Sequence, residues 1–98
     1  MQLVLVELTT LAECEAETLA LRHAVKHYFA SFERVGTRIF SLRQDGHRVL
    51  TMSAPKAGVV RHVVGMHNRP PTPEELAALE PLLTAMGLQL AYTPDLMS

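Results

Sequence analysis

Between Thr10 and Phe32, apolar or small side chains return every three or four residues, and no other feature of the chain restricts its folding as much. At about 100° per residue, Leu11, Cys14, Thr18, Leu21, Val25, Phe29 and Phe32 fall in one stripe, the signature of a helix with a core face. Thr10 and Glu13 supply the start. A Thr hydroxyl accepts from the N–H three residues on, and the Glu side chain reaches back to the cap. The opposite side, with Ala12, Ala16, Leu19, Ala20, His23, His27 and Ala30, is almost uncharged, while Glu13, Glu15, Glu17, Arg22, Lys26 and Glu33 lie on the flanks. A solvated back is normally rich in Lys and Glu, so this face is expected to be partly covered by a loop, a partner chain or a ligand.

Such a helix needs something to pack on, and the remaining segments read as strands. Gln2 to Leu8 is near-continuous in Leu and Val, as for a strand with at least one buried face. Gly36 stops the helical region, Thr37 to Leu42 alternates, Asp45-Gly46 is a hairpin turn, and Arg48 to Met52 returns. After Pro55 and Gly58, Val59 to Val64 makes the third strand of an antiparallel meander. Asn68-Arg69-Pro70-Pro71 is a rigid extended loop, because each proline fixes its own φ and restricts its predecessor. Thr72-Pro73-Glu74-Glu75 opens a second helix with core stripe Leu76, Leu79, Leu83 and Met86, kinked at Pro81 and ended by Gly87. Leu88 to Tyr92 is a short final strand, and the tail from about Thr93 is loosely ordered. The expected fold is α+β, one small domain over residues 1–98 in the order β-α-β-β-β-α(-β), an antiparallel meander with the long helix packed on it.

A chain of 98 residues has room for one core. Nine Lys and Arg against ten Asp and Glu give a net charge of −1, so no global field draws the protein to nucleic acid or anionic lipid. The single cysteine, Cys14, excludes an internal disulfide and fits a reducing compartment. The opening MQLVLVEL is too short for a signal segment, and no stretch approaches the roughly 20 apolar residues of a membrane span. The expected location is the cytoplasm.

The residues announce no reaction. His23 and His27 have the i, i+4 spacing at which two imidazoles share a metal, but no third ligand is placed beside them, and neither metal nor cofactor is expected. Cys14, on the core stripe, reads as a small buried hydrophobe. Arg34, Arg38, Arg43, Arg48, Arg61 and Arg69, interleaved with His47, His62 and His67, either line one sheet face as an anion or nucleic-acid patch or form a solvated polar face. There is no Gly-rich phosphate loop and no Ser-His-Asp spacing.

Four segments, in order, resemble the PcfJ-like proteins of conjugative plasmids, phages and other mobile elements. Glu17-Thr18-Leu19-Ala20-Leu21-Arg22-His23-Ala24-Val25-Lys26-His27-Tyr28 resembles the signature E-G-x-x-L-x-H-C-V-x-x-Y, and Ile39-Phe40-Ser41-Leu42-Arg43 resembles the strand I-x-S-L-R. Val49-Leu50-Thr51-Met52-Ser53 is similar to V-x-T-x-E, and Val60 to Arg69 is similar to V-x-Q-x-x-G-x-x-N-R. The family's Cys, Glu and Gln are replaced by Ala24, Ser53 and His62, so the thiolate and carboxylate that nucleophilic or acid-base work would use are gone.

The resemblance implies a degenerate member that binds rather than catalyses, engaging a protein or a nucleic acid through His23, His27, Tyr28, Ser41, Arg43, His62, His67, Asn68 and Arg69. Two alternatives stay open. One is a small hydrolase or nucleic-acid-processing enzyme, with His23 as base, Glu17 and Arg43 as further catalytic candidates, and Arg43 and Asn68 as oxyanion contacts. The other is a structural homodimer whose interface is the His23/His27 helix face. No membrane partner is expected.

Overall fold

A computed structural model of the chain describes residues 2–22, 38–54 and 58–92. Its elements are β1 (Leu3–Leu8), α1 (Leu11–Leu21), β2 (Arg38–Gln44), β3 (His47–Ala54), β4 (Val59–Val60), β5 (His62–Val64), a 3-10 turn (Met66–Asn68), α2 (Pro73–Ala85) and β6 (Gln89–Leu90). The class is α+β, as expected. Strands β1-β2-β3-β5 form an antiparallel sheet in that order. The expected third strand divides at Arg61: Val59 and Val60 pair in parallel with Gln89 and Leu90, while β5 continues the main sheet. Arg61 bridges the two by donating its N–H to the Ser53 carbonyl at 3.1 Å.

Alternation assigns the two sides of this sheet different chemistry. Phe40, Leu42, Leu50, Met52, Ala54 and Val63 are buried together with Leu79 and Leu83 of α2 and with Val60 and Leu88, which makes the main core. On the α1 side a smaller cluster of Leu8, Cys14 and Ile39 is accompanied by buried Ser41, Thr51, Ser53 and Glu17. One face is therefore a hydrocarbon core and the other is half polar.

The hairpin turn forms as expected, with Asp45 and Gly46 at φ 52° and 86°, the two positive values that a tight turn between twisted strands requires. Asp45 also ties down β1, because its Oδ1 accepts the Gln2 N–H at 2.8 Å and its own N–H donates to the Gln2 carbonyl. Between Leu42 and Arg43 the register slips: Leu42 faces Leu50 but Arg43 faces Arg48, so Val49 is the extra residue of a β-bulge.

Both capping boxes are present, Thr10 with Glu13 and Thr72 with Glu75. The first helix is shorter than its periodicity predicts. Leu21 is its last residue, and Arg22 donates to the Thr18 carbonyl at 2.7 Å and then adopts φ 54°. Nothing in a 3.6-residue repeat registers a left-handed cap such as Arg22, and Leu21 just before it is buried. The stretch expected to continue it to Phe32 lies outside the described residues, as does the tail from Thr93. The buried stripe is also rotated, to Cys14, Glu17 and Leu21, leaving Leu11 47% exposed. Among the described residues nothing covers the opposite face; Ala12, Ala16 and Ala20 are exposed and Leu19 is 79% exposed.

In the second helix, Leu79 and Leu83 are buried as expected, but Met86 is the exposed C-cap. The helix continues past Pro81 to Ala85. Gly87 at φ 75° ends it, with Leu88 N–H donating to the Leu83 carbonyl and Gly87 N–H to that of Thr84, the paired bonds of a Schellman stop.

Ahead of α2, the Arg69 guanidinium donates to both carboxylate oxygens of Glu75, at 2.9 and 2.7 Å, and to the Pro70 carbonyl. Gly65 makes room for it, since a Cβ there would sit 2.9 Å from Arg69 Cζ and 3.0 Å from Cγ. The Arg69 fork, with the Thr72 bonds, holds the Glu75 carboxyl below its ordinary value of 4.5. A lowered carboxyl adds stability that is present above the unfolded-state pKa and lost as pH falls through the folded one. Glu75→Gln is therefore expected to cost about 1 kcal/mol at neutral pH, a modest figure because the pair is partly exposed. In urea titrations that difference should shrink steadily below about pH 4.5. Gly65→Ala, by displacing the fork, should abolish the pH-dependent difference as well; a difference that persists would show the clamp intact.

Candidate functional site

The polar α1 side of the sheet is built around Glu17. Its side chain is fully buried, yet both oxygens are satisfied: Oε1 accepts from Arg48 Nε at 2.9 Å and Oε2 accepts from the Thr51 hydroxyl. An unpaired carboxylate in this position would be very costly, so the helix can bury Glu17 only because β3 presents a cation and a hydroxyl to it. Arg48 is one-third exposed, so its charge remains partly at the surface.

Three cross-strand partnerships complete the face. Ser41 on β2 stands opposite Thr51 on β3, Arg43 opposite Arg48, and Ser53 opposite His62 on β5. Ser41 is fully buried and its Oγ accepts from Arg43 Nε at 3.3 Å. His62 lies at the exposed margin. Where α1 ends, an open cleft of about 290 Å³ is lined by Ala20, Leu21, Gly46, His47, Arg48 and Met66. Arg48 is thus shared between the buried carboxylate and the cleft wall.

Of the residues expected at a site, Glu17, Ser41, Arg43 and His62 come together on this face. His67 is exposed in the 3-10 turn at φ 57°, and Asn68 ends the same turn. Arg69 stands apart from them, its guanidinium engaged by Glu75 as the clamp at the start of α2. His23, His27 and Tyr28, together with Ala24 where the resembled family carries cysteine, lie outside the described residues. Glu17 was expected on a flank of its helix; it is instead the most deeply placed charge among the described residues.

Arg48 and Thr51 are site residues that sequence reasoning missed. Thr51 stood inside a resembled segment, and that was its signal; Arg48 was named only as one of six arginines of a possible anion patch, and the bulge at Val49, which puts it on the same side as Thr51, has no signature in the sequence. Cys14 is buried as expected, and burial together with the Glu13 and Glu17 carboxylates pushes its thiol up to about 11, which leaves it a packing residue and not a nucleophile.

Among the described residues no three His, Cys, Asp or Glu side chains gather closely enough to hold a metal ion. No helix among them is long and apolar enough to cross a membrane. Compared with protein-family models, with curated proteins and with solved structures, the chain matches none.

Proposed function

We propose that this domain is a non-catalytic binding module whose working surface is the α1 side of its sheet. The observation that carries the reading is convergence. Residues drawn from four separate segments, Glu17, Ser41 with Arg43, Thr51 with Ser53, and His62, share one face although they are spread over 46 positions of sequence. Glu17, Ser41, Arg43 and Thr51 are positions by which the chain resembles PcfJ-like proteins, Ser53 and His62 stand where that family has Glu and Gln, and in that context the partner is a component of a mobile element.

Binding is favoured over catalysis by what the polar groups are already doing. Glu17 would be the natural general base of the face, but both of its oxygens are engaged by Arg48 and Thr51. Ser53 stands where the resembled family has a carboxylate. At its accessible margin, where Arg43, Arg48 and His62 reach the surface above the buried Glu17, Ser41, Thr51 and Ser53, the face therefore offers donors and cations, groups that hold a ligand, with no disengaged carboxylate among its described members to move a proton.

The test is photo-crosslinking in the source cells. A crosslinking amino acid at His47 or His62 should yield a discrete adduct, whereas the same residue at Glu74 or Glu80 on the exposed side of α2 should not. Adducts from α2 alone, or from neither side, would remove the proposal.

A further inference from the structure

We propose that Arg43 and Arg48 together form a docking site for one backbone phosphate of a nucleic-acid strand, an assignment that rests on the α1-side face being the binding surface. The two arginines are Cα partners across β2 and β3. Facing residues of antiparallel strands lie about 4.5 to 5.5 Å apart at Cα, and like charges in that relation repel. The two-residue turn nevertheless sets them opposite each other, and both side chains are aimed to the same side of the sheet by their anchors.

Those anchors shape what is left to bind. Arg43 donates its Nε to buried Ser41, and Arg48 donates its Nε to buried Glu17. In each case a buried oxygen holds the inner nitrogen, and the outer Nη nitrogens donate to no described side chain. Two guanidinium ends are thereby presented side by side, oriented from beneath. Arginine suits oxyanions because its planar fork donates parallel hydrogen bonds.

Stoichiometry of charge selects the oxyanion. Two guanidinium groups over one carboxylate leave a local charge of +1, which a phosphodiester matches. The two oxygens of a ligand carboxylate lie in one plane and suit a single fork, whereas the two non-bridging oxygens of a phosphodiester diverge tetrahedrally, so each can accept from a different guanidinium. The cleft beyond Arg48, with Ala20, Leu21 and Met66 on its walls, gives the same nucleotide an apolar seat for its sugar or base. With a net charge of −1 the whole protein supplies no long electrostatic track, so the contact is local.

That locality is measurable. Fluorescence anisotropy of a labelled single-stranded oligonucleotide with the full chain should show binding at low salt, with a slope of log K against log salt of about −0.7, as for one phosphate. Arg43→Gln should weaken binding about tenfold, the effect of losing a charge-assisted hydrogen-bonded contact. Arg43→Lys, which keeps the charge and loses the fork, should fall between the two, and unchanged urea midpoints would show both variants folded.

Absence of strand binding at low salt, or equal affinity for wild type and Arg43→Gln, overturns the proposal. So does full competition by inorganic phosphate at the concentration of the strand's own phosphates, which would mark a free-phosphate site. None of these results touches the crosslinking test, so the face can survive the loss of its assigned ligand.

Discussion

Glu17→Ala is expected to lower the unfolding free energy by about 3 kcal/mol, the lower end of the cost of removing one member of a buried ion pair. The lower end applies because Arg48 is one-third exposed and can recover some hydration. Two losses add up. The Thr51 hydroxyl, 1% exposed, is left without its carboxylate acceptor, and a space opens between α1 and β3. Glu17→Gln keeps an oxygen for one donor and the volume for packing, so it should lose less. Urea titration checks both, and a double-mutant cycle with Thr51→Val locates the coupling: the double variant should cost less than the sum of the singles, since the bond between hydroxyl and carboxylate can be lost only once. Strict additivity would mean that Glu17 and Thr51 do not act as a unit.

Phe40→Ala should have a larger effect, about 4 kcal/mol, within the range for emptying a fully buried aromatic site. Phe40 lies in the middle of the apolar face, opposite Met52 on one side and Glu7 on the other. The Arg38 guanidinium lies 5.0 Å from its ring centroid, held there by two hydrogen bonds to Glu7 of 3.0 and 3.1 Å. Truncation removes the cation–π contact along with the packing of β2 on α2. A domain of this size has about 5 to 15 kcal/mol in total, so the variant should unfold at markedly lower urea and shift its thermal midpoint by many degrees. Phe40→Leu fills most of the volume and should retain the greater part. A midpoint for Phe40→Ala within a degree or two of wild type would place the stabilising core elsewhere.

What could be read from residues alone was whatever local chemistry decides. Thr10 with Glu13, Thr72 with Glu75, Asp45-Gly46 and the Gly87 stop each rest on contacts within a few positions, and each appears as expected. The misses share the opposite property. Glu17 reads as a flank charge until Arg48 and Thr51, 31 and 34 positions away, are brought beneath it. The division of Val59–Val64 depends on β6 arriving alongside Val59 and Val60. The left-handed Arg22 has no local signal, since arginine has no preference for that region. Of the candidate site, Glu17, Ser41, Arg43 and His62 share one side of the sheet and Arg69 stands apart in its clamp, while the pairing of the two arginines was invisible without the register.

The extra residue at Val49 has a consequence for how this hairpin can vary. A strand sorts side chains by odd and even count. Starting from a two-residue turn, an unbroken count along β3 would put Leu50 and Met52 on the α1 side and Thr51 in the hydrocarbon core. Val49 corrects the parity. A chain one residue shorter at that point would pair without a bulge, keep Arg43 opposite Arg48 and still sort every later residue correctly; what it would lose is the local twist. The bulge is thus a one-residue degree of freedom through which the aim of the arginine pair can be changed while the core beneath stays in register.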